Sequence, residues 1–309
     1  MSATDRDHRA TGRSTDQATR WAVLSPPTLF LLAFFLAPAL IMVLASFQYP
    51  GEFGGLAPLT DPGDGREFGL TLENHAFFFS DWLFAEIFAR SFLVATASTL
   101  ICLVLAYPVA WLIAQSPRRH RDLLVLLVIL PFASNFLIRV YAWMIILGPQ
   151  AALAQTVNGL LATLGLEPVS LLFSPIAVLV GMVYVHLPFM ILPLYTNLEK
   201  HDPVLLDAAQ DLGANAWQRF WKITVPLLMP TILLCSVMSM LAAVKSFEEV
   251  QIMTKGGPMQ STYTALFYAY EFGIKSLNFG RALAASLVMS VFCVALAWLN
   301  FRYLQPRSK

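Results

Sequence analysis

Five residues in otherwise apolar surroundings have side chains suited to binding a cation. Glu248 and Glu249 are adjacent carboxylates, and Tyr141, Trp143 and Tyr184 offer aromatic faces. Charged groups inside apolar stretches usually face a path or a partner, and aromatic faces attract ammonium groups. The five residues are therefore candidates for contact with a cationic solute. The alternative is that the aromatic residues belong to an interfacial belt or to the core.

Sequence motifs for catalysis are absent. The dipeptide Gly-Lys never occurs, so the chain lacks the G-x-x-x-x-G-K-[ST] loop that cradles nucleotide phosphates. There is no H-E-x-x-H or G-x-S-x-G motif, and the five histidines are scattered. The three cysteines, Cys102, Cys235 and Cys293, fall in apolar segments and read as small core residues. We predict a protein that is not an enzyme and that holds no metal.

The elements that must position these residues are membrane helices. Hydrophobic residues make up 57% of the chain and charged residues only 13%, whereas soluble domains carry about 25% charged residues. Six apolar stretches are long enough to cross a bilayer as helices: 27–48, 89–115, 123–147, 174–197, 227–245 and 281–303. We predict an all-α membrane protein with about six transmembrane helices in one domain, 26–305, preceded by a disordered tail, 1–25.

The distribution of charge predicts the orientation of these helices. Short cytoplasmic loops are enriched in Lys and Arg, and the basic residues cluster in the N-terminal tail, in the loops after the second and fourth spans, and at the C-terminus. Both termini are therefore expected in the cytoplasm. The external segments, 49–88 and 148–173, are each expected to contain a short helix lying at the membrane surface. A net charge of +1 gives no indication of nucleic-acid binding.

The loop between the fourth and fifth spans, 199–226, has the pattern of two short helices joined by a turn. Asp202 and Pro203 form a helix start, and Gly213 is placed to end that helix with a positive φ. A second helix is expected from Ala214 or Asn215, and Pro226 is expected to begin the next span. The polar face is of mixed charge, which favours docking to a soluble partner over lying on the inner leaflet.

This elbow resembles the signature loop of binding-protein-dependent ABC-importer permeases. The family pattern is E-A-A, three residues, G, six residues, F, two residues, I, one residue, L-P. The residues in register are Asp207, Ala208, Ala209, Gly213, Phe220, Ile223 and Pro226, with Asp207 in place of Glu and Val225 in place of Leu.

The resemblance implies the type I ABC importer architecture in a bacterial inner membrane. In that family the elbow inserts into a groove on the ATP-hydrolysing subunit, where Phe220 or Trp221 would anchor it and Asp207 would meet a basic group. The implied partners are two ATPase subunits that hold ATP and Mg²⁺, a solute-binding protein, periplasmic or lipid-anchored, and a second permease, either a paralogue or a copy. This chain itself would bind no cofactor.

Residues that bear on the cargo point in two directions. The stretches 130–147 and 187–214 look like the spermidine/putrescine class of permeases, type B, which implies a polyamine or a related organic cation. Residues 246–249 and 254–286 are similar to carbohydrate-importer permeases, so a sugar or polyol is the alternative. A self-sufficient secondary transporter would need matched, inverted halves, which the sequence does not display, and a membrane assembly or signalling subunit is a further alternative.

Overall fold

The protein is all-helical throughout the part that the structure describes. The computed structural model describes residues 21–51, 54–60, 69–80 and 82–304, and within these ranges it contains no strand beyond two isolated bridges. The helices are α1 (Trp21–Ser46), α2 (Glu73–Ser80), α3 (Trp82–Gln115), α4 (Arg118–Ile129), α5 (Phe136–Leu147), α6 (Ala152–Thr163), α7 (Pro175–Leu198), α8 (Pro203–Asp211), α9 (Ala216–Val244), α10 (Ala265–Tyr270) and α11 (Phe279–Leu304).

Six stretches of helix in the described residues are long and apolar enough to cross a membrane, as predicted. The first is already helical at Trp21, so residues 21–25 belong to α1 rather than to the tail, and residues 1–20 lie outside the described ranges. The second begins at Trp82, earlier than the predicted residue 89. Helices α2 and α6 match the short helices expected in the two external segments.

The predicted third span, 123–147, is not one continuous helix, because the structure breaks it. Helix α4 ends at Ile129, a 3₁₀ turn follows at Leu130–Ala133, and Asn135 then caps α5 by accepting a hydrogen bond from the Leu137 N–H. Pro131 lacks the N–H that a continuous helix would use, and hydropathy does not register that loss. The long apolar helical stretch that follows the break is Phe136–Thr163, in which α5 and the external helix α6 meet through a turn at 148–151.

The tightest packing joins α3 to α7. Cys102, Ala106 and Ala110 recur every four residues along α3, and none of them is exposed. Side chains this small let helix backbones approach closely, and Met190 and Leu194 of α7 lie in the same buried cluster. Cys102 and Cys235 are thus core residues, as the sequence predicts, and Cys293 is half-buried. Helix α9 completes this core, while α11 packs against α1 and α2.

Candidate functional site: an exposed elbow and a buried aromatic cluster

The elbow folds as its local signals predict. The Asp202 carboxylate accepts a hydrogen bond from the Val204 N–H at the start of α8, where Pro203 is the first residue. Gly213 follows α8 with φ +84°. Asn215 and Gln218 then form reciprocal side-chain to backbone hydrogen bonds, a capping box at the start of α9. Each helix end therefore has its own satisfied cap.

Much of the elbow's outer surface is apolar and uncovered within the described chain. Leu212 is 89% exposed and Trp217 is 69% exposed. Of the predicted coupling residues, Asp207, Ala208, Gly213 and Pro226 are exposed, whereas Ala209, Phe220 and Ile223 are half-buried. Large exposed apolar side chains grouped on one surface mark interaction sites.

Phe220 and Ile223 face the membrane domain. The Phe220 ring packs edge-to-face on Tyr107 of α3, with ring centroids 5.1 Å apart. Ile223 lines a cleft beneath α8 together with His201 and Trp111. These two residues therefore hold the elbow to the spans, and Trp217 and Trp221 are the large aromatic residues left on its outer face.

Polar contacts also fix the elbow. The Arg219 Nη1 donates to the Gln210 Oε1 at 2.7 Å and so links the two elbow helices. Arg121 of α4 forms an ion pair with Glu199, which follows α7. A hydrogen bond from Tyr195 and the charge of Arg121 hold the pKa of Glu199 below its ordinary value. The ionised carboxylate is therefore the stable form at this junction.

The regular α-helical part of the fifth span begins at Val225 with Pro226 in its first turn, as predicted, but it is not separate from the elbow. Helix α9 runs from Ala216 to Val244 without a break, through a π-helical turn at Phe220–Thr224. The wider turn lets the Val225 N–H bond to the Phe220 carbonyl, so the helix axis continues up to the proline. The elbow's second helix is therefore one rigid body with a transmembrane helix.

Two of the three predicted aromatic faces come together. The Trp143 and Tyr184 rings of α5 and α7 are T-shaped, with centroids 5.5 Å apart. Phe132, in the break before α5, stacks on Tyr184 at 6.2 Å, and the Arg139 guanidinium lies 4.4 Å from the Phe132 ring centroid. Tyr141 is 54% exposed and makes no ring contact with this group. Phe132 joins this cluster because it lies in the helix break at Leu130–Ala133, next to Pro131.

The two adjacent carboxylates have different environments. Glu249 is 5% exposed and accepts a hydrogen bond from the Ser246 hydroxyl. Its side chain lies beside Gly181 of α7, where an added Cβ would be 3.6 Å from the Glu249 Cγ, an ordinary van der Waals distance. Glu248 is exposed. Of the two carboxylates, only Glu248 is thus accessible in this conformation. His186 of α7 already has a hydrogen-bond partner, because its Nδ1 lies 2.7 Å from the Met182 carbonyl.

Comparisons with known proteins decide the family. No family model matches the chain. The spermidine/putrescine transport system permease protein PotB of Haemophilus influenzae is 34% identical over 276 residues, which cover 88% of this chain and 90% of that protein. This chain belongs to the PotB family of ABC-transporter permeases. PotB of Escherichia coli is 37% identical over 241 residues, which cover 77% of this chain and 85% of that protein.

Solved structures agree with the PotB-like fold. A permease chain of a bacterial ABC transporter for the acidic polysaccharide alginate superposes with a TM-score of 0.73, at 18% identity, and covers 97% of this chain and 100% of its own length. The chain of the same kind of transporter bound to a periplasmic protein gives 0.72. As a PotB-family member, the chain is a multi-pass protein of the bacterial inner membrane and a transport component of an ABC importer.

Proposed function

We propose that this chain is the permease subunit of an importer that carries a polyamine, or a related organic cation, into the cell. The observation that carries the proposal is the alignment with PotB over nearly the whole chain, at 34% identity. The aromatic rings of Trp143 and Tyr184, and the exposed carboxylate of Glu248, supply chemistry that suits an ammonium ligand.

The elbow is the proposed site of coupling to ATP hydrolysis. Basic residues of α4 and of the elbow, such as Arg118 and Lys222, favour a cytoplasmic position for this end of the molecule by the positive-inside rule. Leu212 and Trp217 would enter the groove of an ATPase subunit, and Asp207 would pair with a basic group there. ATP and Mg²⁺ belong to two such subunits, because this chain has no phosphate-binding loop.

A solute-binding protein is the proposed partner at the opposite end. The loop 255–264 follows the far end of α9, so a membrane span separates it from the elbow. Thr254 and Thr262 hydrogen-bond inside the loop at 2.8 Å, and Arg90 donates to the Gln260 carbonyl at 3.1 Å. Met259 projects from this braced loop fully exposed, which suits a docking contact.

Transport would follow from a shift between outward-open and inward-open forms. ATPase subunits that close on ATP bind one form of the two permeases more tightly and so shift the population toward it. Because α9 continues from the elbow into the membrane, movement of Trp217 would be passed directly to the helix that carries Cys235 in the core. A second permease, a paralogue or a copy of this chain, would complete the path.

Substrate competition tests the proposal. Cells that express the complete importer should take up labelled spermidine, and excess putrescine should compete with it. Excess sugar or polyol should leave the uptake unchanged. Competition by a carbohydrate, with no spermidine uptake, would replace the polyamine by the second candidate.

That second candidate is a carbohydrate or another uncharged solute. The permease protein GgtC of Synechocystis, named for osmoprotective compounds, aligns over 293 residues at 25% identity and covers 93% of this chain. The alignment includes the C-terminal third, where the sequence resembles carbohydrate importers. The lower identity places this candidate behind the polyamine.

A further inference from the structure

Arg139 is a charged residue deep in the membrane domain. It is the fourth residue of α5, whose remaining residues are all uncharged. Its guanidinium stacks on Phe132, which itself stacks on Tyr184 near the middle of α7. These contacts place the guanidinium beside the central part of α7, away from both ends of that apolar helix.

The guanidinium has no counter-charge within the described chain. Its Nε and Nη1 atoms are buried and make no hydrogen bond, and its contacts are with the rings of Phe132 and Phe136, at 4.4 and 5.7 Å. Intramembrane arginines are costly and normally pair with an acid or with carbonyls. Leaving the buried donors of a charged group without hydrogen-bond partners adds a further penalty.

The acids of this chain are engaged elsewhere or lie outside the spans. Among the six spans the structure describes, Glu86 is the single acidic residue, and it pairs with Arg90. Glu249 is hydrogen-bonded to Ser246. No ion pair within the described residues includes Arg139. No acidic group in the described part of the chain therefore satisfies the guanidinium, which favours a partner from another molecule.

We infer that Arg139 binds a carboxylate of the second permease, within the membrane. The inference rests on the proposed function, which supplies that second subunit. The Arg139 side chain is half-buried rather than enclosed, and the neighbouring Phe189 is 65% exposed, so the cluster opens onto the surface of this chain. A planar guanidinium with free donors matches a carboxylate in bidentate geometry. A cationic solute has the same sign of charge as the guanidinium and cannot pair with it. The phosphates of lipids lie in the headgroup layers and not between the helices.

The pairing predicts a specific assembly defect. In the complete importer extracted in mild detergent, Arg139→Gln should reduce the second permease recovered with this chain by about tenfold or more, because it leaves a carboxylate buried and unpaired. Arg139→Lys should recover part of the loss, since it keeps the charge but lacks the fork. Arg281→Gln is the matched control: that guanidinium also stacks on a phenylalanine, Phe77, at 4.0 Å, but near the start of α11.

A charge reversal identifies the partner group. In an Arg139→Glu background, each Asp and Glu within the spans of the second permease is replaced by Arg in turn, and one replacement should restore recovery and uptake. Normal recovery with Arg139→Gln, together with no restoring reversal, would overturn the inference. So would wild-type pairing that is lost in pure phosphatidylcholine and restored by an anionic lipid. Failure of the wild-type complex to take up spermidine would contradict the proposed function, while the recovery measurement would still test the pairing.

Discussion

Replacement of Gly213 tests whether the geometry of the elbow turn matters for coupling. The residue has φ +84°, and a Cβ built on it would meet nothing within 4 Å. The glycine is therefore required by its backbone conformation and not by close packing inside this chain. Left-handed backbone costs an ordinary L-residue about 1–2 kcal/mol.

That cost sets the size of the effect. An energy of about 1–2 kcal/mol changes an equilibrium constant by a factor of about 5–30, so Gly213→Ala should lower the ratio of native to non-native turn by that factor. Gly213→Asn should have a smaller effect because Asn tolerates this region, and Gly213→Val a larger one because a β-branched residue does not. Gly159→Ala in α6 is the control: a Cβ there also meets nothing, and no positive φ is involved.

The assay is solute uptake per ATP hydrolysed by the complete importer in proteoliposomes. We expect coupling to fall in the order wild type, Asn, Ala, Val, with Gly159→Ala at the wild-type level. Full coupling in both the Ala and Val variants would refute the reasoning. Equal damage from Asn, Ala and Val would instead show that the partner approaches Gly213 too closely for any side chain.

Three further perturbations test other parts of the molecule. Leu212→Ser combined with Trp217→Ala should weaken ATPase binding about 30-fold or more, as expected for hot-spot residues. Because both side chains are exposed, the thermal stability of the isolated permease should not fall. A lower melting temperature would contradict this prediction. Glu248→Gln should raise the KM for a cationic solute, whereas Glu249→Gln should lower the melting temperature, because Glu249 is buried against Ser246; identical effects would contradict the assignment. Burial lowers the pKa of His75 below its ordinary value of 6.5, so folding favours the neutral ring. The contribution of His75 to the free energy of unfolding should therefore be complete above pH 6.5. It should be lost as the pH falls from 6.5 through the folded-state pKa. His75→Phe should flatten that profile in thermal unfolding scans, and an unchanged profile would contradict the prediction.

Local signals made the elbow predictable. Asp202, Pro203 and Gly213 act within a few residues of themselves, so their spacing alone indicates a capped helix, a turn and a second helix. These signals did not show that a π-helical turn at Phe220–Thr224 joins the second elbow helix to the span that begins beside Pro226. Hydropathy located the spans but not the break at Pro131, which depends on one missing N–H among apolar residues.

The candidate solute site was less predictable, because it depends on tertiary contacts. Glu248 and Glu249 are equivalent by sequence, and only the structure shows that Glu249 is buried, with its side chain beside Gly181 of α7. Trp143 and Tyr184 meet only because α5 and α7 pack together, and Tyr141 lies apart from them. The unsatisfied donors of Arg139 become visible only when its surroundings are known.

ATP-dependent accumulation of labelled spermidine tests the central claim most directly. Proteoliposomes that contain this chain, its second permease and the ATPase subunits, supplied with the solute-binding protein, should accumulate spermidine only when ATP reaches the ATPase side. Omission of this chain should abolish the uptake. Uptake by this chain alone, driven by an ion gradient without ATP or ATPase, would contradict the account.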